Sequence, residues 1–82
     1  MIKEGTKLPI NGRDAGVIAA LEHDNNYYIN VKFLDGDESF YIYKVTPEED
    51  GFKLEREIDE EKLVVLMLEF SKKIARDLNI NE

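Results

Sequence analysis

The chain has no cysteine and no tryptophan, and only two prolines and one histidine among its 82 residues. Without cysteine there is no disulfide, no thiolate zinc site and no thiol nucleophile. Small secreted domains lean on such staples, so a cytoplasmic location is expected. Basic charge is also scarce. Eleven Lys and Arg stand against 18 Asp and Glu, a formal net charge of −7. A field of that sign repels phosphate backbones and anionic lipid surfaces, which argues against direct binding of nucleic acid or membrane. Long apolar runs are missing as well. The longest, Leu63 to Leu68, has six residues; a membrane span needs about 20. Met1 to Ile10 carries Lys3, Glu4 and Lys7 and no apolar segment of the signal-peptide kind.

What is present suits one small domain over residues 1–82. Hydrophobic residues make up 43 % of the chain, too many for a disordered acidic tail. A chain this short buries only about 60 % of its unfolded surface, so one modest core is expected. Residues 5–58 read as strands and turns. Gly5 to Ile10 suits a first strand, with Pro9 at an edge. Asn11-Gly12-Arg13-Asp14 is a turn, Val17 to Leu21 a second strand, and His23-Asp24-Asn25-Asn26 a polar turn. Tyr27 to Phe33 alternates, with Tyr27, Ile29, Val31 and Phe33 on one side.

Asp35-Gly36 is a favoured two-residue hairpin turn. It sets Leu34 opposite Asp37, Val31 opposite Phe40 and Ile29 opposite Ile42. That register puts Phe40 and Ile42 on the core face and gathers Tyr28, Tyr41 and Tyr43 on the other. A loop one residue longer would exchange the faces and set Phe40 and Ile42 beside Asn30 and Lys32. Thr46 to Gly51 reads as an acidic turn, and Phe52 to Ile58 as the last strand.

A helix from about Glu60 to about Leu78 follows. Asp59 is its N-cap, Ile58 and Leu63 form a hydrophobic staple, and Asn79 is a C-cap. Glu60 and Glu61 sit at the positive end of the dipole, and Lys72, Lys73 and Arg76 toward the negative end. Leu63, Leu66, Met67, Phe70, Ile74 and Leu78 share one arc, which Val64, Leu68 and Ala75 widen to roughly 200°. Either the helix lies deep against a curled sheet, or Val64, Leu68 and Val65 meet a second subunit or another protein. The fold class is α+β: a small antiparallel sheet, or SH3-like partial barrel, of about five strands with one C-terminal helix.

Two resemblances accompany this pattern. Gly5-Thr6-Lys7-Leu8, Gly16-Val17-Ile18, Tyr28 to Phe33 and Asp35-Gly36 resemble the strand order of a Tudor or SH3-like small barrel. Tyr27 to Ile74 resembles the YrzB-like family of small acidic bacterial proteins, through the stretch Tyr41 to Gly51 and the strand and acidic helix start at Phe52 to Glu61. The first 26 residues depart from that family. The resemblance implies a bacterial or phage origin and no particular activity.

Candidate chemistry is sparse. His23 lies in a polar turn, and Ser39 and Ser71 are in no nucleophile-elbow pattern. Asp35, Asp37 and Glu38 crowd one turn without calcium-loop spacing. The glycines build no phosphate-binding loop. No catalytic residue, cofactor or metal is therefore expected. The candidate contact surfaces are the aromatic face Tyr28, Tyr41 and Tyr43, which packs in the core or binds a ligand, and the helix positions Val64, Val65 and Leu68. A non-enzymatic protein-interaction module is the expected function, with a preference for a homodimer through the helix. The alternative is an acidic inhibitor, a nucleic-acid mimic occupying a basic partner. Eight acids between Thr46 and Glu61 stand against Lys53 and Arg56 and motivate it.

Overall fold

A computed structural model describes residues 2–78. Five strands, β1 (Lys7–Ile10), β2 (Arg13–His23), β3 (Asn26–Phe33), β4 (Phe40–Glu48) and β5 (Gly51–Arg56), precede one helix, α1 (Glu60–Leu78). The strands pair in chain order as one antiparallel meander curled into a half-barrel, the α+β architecture read from the sequence. Among the described residues, no helix is long and apolar enough to cross a membrane.

Local turn chemistry sets most of the pairing. Asn11 and Gly12, at φ 51° and 80°, link Ile10 to its partner Arg13. Asp24 and Asn25, at φ 55° and 66°, link His23 to Asn26. Both turns have two central residues with φ > 0, the hairpin geometry that Asn, Asp and Gly tolerate. They are tighter than the four-residue turns expected, so β2 runs well beyond Val17–Leu21. The acidic turn is also tighter: β4 continues to Glu48, and Glu49 and Asp50 alone connect it to Gly51. Pro47 fits within β4 because that end of the strand outruns β3, which pairs only as far as Val45.

The β3–β4 register differs from the expected one by a single residue. Val31 pairs with Tyr41, Ile29 with Tyr43 and Asn30 with Ile42. The connection is the six-residue loop Leu34–Ser39, and Asp35-Gly36 is not a two-residue turn. Phe40, placed in the core by the shorter turn, is 61 % exposed. Ile42 is buried, but on the opposite face. The cause is the loop's own side chains. Asp37 Oδ1 accepts the Ser39 N–H at 2.9 Å, and Asp35 Oδ1 accepts the Asp37 N–H at 3.2 Å. These aspartate-centred turns stabilise a wider loop.

Both sheet faces carry a core. Ile10, Ala15, Val17, Ile29, Val31, Phe33, Tyr43 and Val45 fill the inside of the half-barrel, and Ile2 closes one end of it. The Tyr27 hydroxyl ties that end down by donating to the Ile2 carbonyl at 2.8 Å. Ala19, Tyr28 and Ile42 form the outer face and meet Leu66 and Phe70 of α1. A bulge between Val17 and Ala19 lets β2 serve both: Val17 points in, Ala19 out and Ala20 in again.

α1 begins as expected. Asp59 Oδ1 accepts the N–H groups of Glu61 and Lys62 at 3.0 and 3.2 Å, satisfying two free donors of the first turn. The staple does not form, because Ile58 is 77 % exposed and so has little contact with Leu63. The Asn79 cap lies outside the described residues.

Candidate functional site

α1 touches the sheet along a narrow stripe. Leu66 and Phe70 are buried and Leu63 half-buried, while Lys73 donates to the Ala20 carbonyl. The deep packing that would cover the whole apolar arc does not occur. Val64, Val65, Met67 and Leu68 are all exposed, Val64 and Leu68 by 59 % and 57 %. The three helix positions singled out in the sequence thus face solvent in this chain.

Spacing sharpens that observation. Val64, Leu68, Ser71, Ala75 and Leu78 follow one another at four, three, four and three residues, the repeat of a helix–helix seam. Met67 and Ile74 flank the seam on the side toward the sheet. Beside them a groove of about 260 Å³ runs between α1 and the hairpin, lined by Phe40, Leu63, Met67 and Ile74. Asn30 also lines this groove, and its Oδ1 is buried without a hydrogen-bond partner among the described residues.

The three tyrosines do not form one face. Tyr28 is buried beneath α1, whereas Tyr43 is buried inside the half-barrel and Tyr41 lies half-buried beside it. The one-residue register change separates them, because it sends β4's odd positions inward while Tyr28 points outward.

In place of that face, the inner rim carries a row across four strands in which two adjacent rings are flanked by a cation at each end. The Arg13 guanidinium lies 3.8 Å over the Phe33 ring. Phe33 and Tyr41 are 5.3 Å apart, tilted by 60°. The Arg56 guanidinium lies 4.6 Å over Tyr41. Tyr41 also donates its hydroxyl to Asp37 Oδ2 at 2.8 Å. Arg13 makes paired hydrogen bonds to Asp35, at 2.7 and 3.1 Å, and reaches Asp37 at 3.1 Å. The Ser39 N–H, the Tyr41 hydroxyl and then Arg13 hold the Asp37 carboxyl down to about 2. Hydrogen bonds from Arg13 lower Asp35 in the same sense. Asp35 and Asp37 are thus occupied by an internal cation. Among the described residues, no three His, Asp or Glu side chains are grouped to hold a metal ion.

The two arginines are what sequence reading missed. Arg56 shares a strand face with Phe52 and Leu54, and that was the available signal: a cation alternating into an apolar row. Arg13 gave no such signal, because its position was assigned to a turn. Between the first and last strands, below this row, lies a cavity of about 480 Å³ lined by Pro9, Ile10, Tyr43, Leu54, Arg13 and Arg56. Among the described residues, no carboxylate lines it.

No protein family, curated protein or solved structure matches the chain.

Proposed function

We propose that this chain is a non-enzymatic protein-interaction module whose contact surface is the exposed face of α1, taken by the same face of a second copy. The observation that carries the reading is the uncharged seam from Val64 to Leu78, left open by a helix that buries only Leu66 and Phe70. Its residues are arranged symmetrically about Ser71. Val64 and Leu78 lie seven positions to either side, Met67 and Ala75 four, and Leu68 and Ile74 three. A twofold axis at Ser71 sets two such helices antiparallel, with each large side chain opposite an apolar one. The small Ser71 lets the helices approach at the crossing. Antiparallel pairing also opposes the two helix dipoles and turns Glu60 and Glu61 toward the half of the partner helix that carries Lys72 and Arg76.

Sedimentation at micromolar concentration tests this reading. The wild type is expected to be a dimer, and Val64→Glu with Leu68→Glu a folded monomer by circular dichroism. Because the chain has no cysteine, Ser71→Cys introduces one thiol on the proposed axis. A short thiol-reactive cross-linker should join two copies of that variant, and should fail with Lys62→Cys. A monomeric wild type overturns the reading. So does a dimer that falls apart steeply as salt rises, since an apolar seam is insensitive to screening.

A further inference from the structure

We propose that the open edge of β5 binds an extended peptide segment carrying a single acidic side chain, which adds a strand to the half-barrel in the gap between β5 and β1. The backbone supports this first. The Glu57 N–H donates to the Ile42 carbonyl at 2.9 Å. Since antiparallel pairs alternate between bonded and non-bonded, Gly51, Lys53 and Glu55 also bond toward β4. Phe52, Leu54 and Arg56 therefore turn their N–H and C=O groups outward, where the described residues supply no strand to receive them.

The two edges of the sheet are not equivalent. On β1 the Val17 N–H donates to the Thr6 carbonyl at 2.8 Å, so the alternation directs Lys7 and Pro9 outward. Proline has no N–H, and β1 has only four residues. Both features blunt an edge. β5 has neither a proline nor a bulge, and its six residues are exposed except for half-buried Leu54. An extended chain laid along it gains three donors and three acceptors at the two-residue spacing of a strand.

The side chains define the occupant. The 480 Å³ cavity lies at one end of the gap, and a second of about 430 Å³, lined by Ile2, Thr6, Pro47 and Phe52, lies at the other. Apolar groups on alternate positions of a peptide fit both. Arg56 adds the charge. It stacks on Tyr41 and pairs with no carboxylate among the described residues, unlike Arg13, which Asp35 and Asp37 occupy. One carboxylate on the peptide suits it. A run of acids does not, because the chain's −7 charge opposes them. At physiological salt that opposition fades beyond about 8 Å, so the local guanidinium dominates for a single acid.

The probe is a blocked eight-residue peptide of alternating valine and threonine with one central glutamate. On adding it, amide exchange at Phe52, Leu54 and Arg56 should slow, while Lys53 and Glu55, already bonded to β4, should change little. N-methylation of alternate peptide amides should abolish binding, because it removes ladder donors and leaves the side chains intact. Replacing the peptide glutamate by glutamine, or Arg56→Gln in the protein, should each weaken binding roughly two- to five-fold, the size of an exposed ion pair. The two changes together should cost no more than one. Undiminished binding of the N-methylated peptide overturns the proposal, as does equal binding of the glutamine peptide. If the same three amides slow with rising protein concentration and no peptide, the edge belongs to a second copy and the proposal fails. Neither Val64 nor Leu68 lines either cavity of the gap, so Val64→Glu with Leu68→Glu should bind the probe as the wild type does.

Discussion

Ile29 and Tyr28 are neighbours on β3, yet their side chains enter two different cores. Ile29 joins an inner cluster to which the first four strands and Ile2 contribute, with Leu54 of the fifth packed against it. Tyr28 joins a cluster of five buried residues, two of them from α1. The inner core is wrapped by the curl of the sheet itself, except along the gap between β5 and β1. The outer core depends on one helix, held by Leu66, Phe70 and the Lys73 hydrogen bond to β2. A small chain has divided its apolar residues between a sheet-wrapped interior and a half-covered face. The half-covered face leaves surface to spare for a contact with another molecule.

The largest effect should come from the inner side. Ile29 is fully buried, and Ile29→Ala should cost roughly 2–5 kcal/mol. A chain of this length has on the order of 4–12 kcal/mol of stability in all, so the loss is a large share of it. The shift of the urea midpoint measures it. A loss below about 1 kcal/mol would mean that the interior is loosely packed and the contrast is misplaced.

Leu66→Ala probes the outer side. The loss should be near the lower end of its class, about 2 kcal/mol, since Leu66 borders an open cavity of about 240 Å³ beside His23 and Tyr28 that can collapse. Its signature is regional. Hydrogen exchange should speed up in α1 while the amides of β2, β3 and β4 keep most of their protection. Equal acceleration in helix and sheet would show that the two cores unfold as one unit.

The same division explains what could be read from the chain and what could not. Features decided by a few neighbouring residues were legible: the Asp59 cap, the turns at Asn11-Gly12 and Asp24-Asn25, the alternation of β3, and five strands followed by one helix. The β3–β4 register was not. With one covered face, alternation specifies register strongly. Here Val31 packs inward and Ile42 packs outward under α1. Both faces of the hairpin are apolar, and either register buries a good set of side chains. The tyrosine face rested on one of those registers and was lost with it. The bulge that switches the sides of β2 between Val17 and Ala19 left no turn residue to mark it. The helix candidates did not depend on register, because Val64, Val65 and Leu68 lie on a helix whose limits are local. For the loop, the informative spacing was Asp37 two residues before Ser39, an aspartate turn inside what resembled a simple Asp-Gly hairpin.

A smaller effect separates the loop from the strands. Gly36 has φ 97° and open space where a side chain would begin. Gly36→Val therefore costs only backbone strain, roughly 1–2 kcal/mol. Gly16 has no such φ, and an added methyl would sit 3.7 Å from Leu34, an ordinary contact. Gly16→Ala should be neutral or stabilise by up to about 1 kcal/mol through the unfolded chain. Thermal midpoints of the two variants measure the difference. Equal losses would mean that the loop is no more constrained than the strand.

The smallest effect concerns the clamp that sets the wider loop, and it appears only in acid. Asp37 has a folded pKa of about 2, below the roughly 3.9 of an unfolded aspartate. Its depressed pKa means that the folded state favours the ionised form. The contribution is therefore complete above about pH 5, and it is lost as the pH falls from there through about 2. Asp35 shifts in the same direction and adds to the slope. In Asp37→Asn the amide oxygen could still accept the Ser39 N–H, but the side chain offers Arg13 no charge. The substitution should thus lower the thermal midpoint modestly at neutral pH, and the gap from wild type should narrow steadily on acidification through that window. Among the described residues the inner core contains no carboxylate, so Val31→Ala should keep a constant gap across the same range. If the Asp37→Asn gap also stayed constant, the loop would owe its shape to backbone hydrogen bonds alone, and the Arg13 clamp would be a passive surface contact.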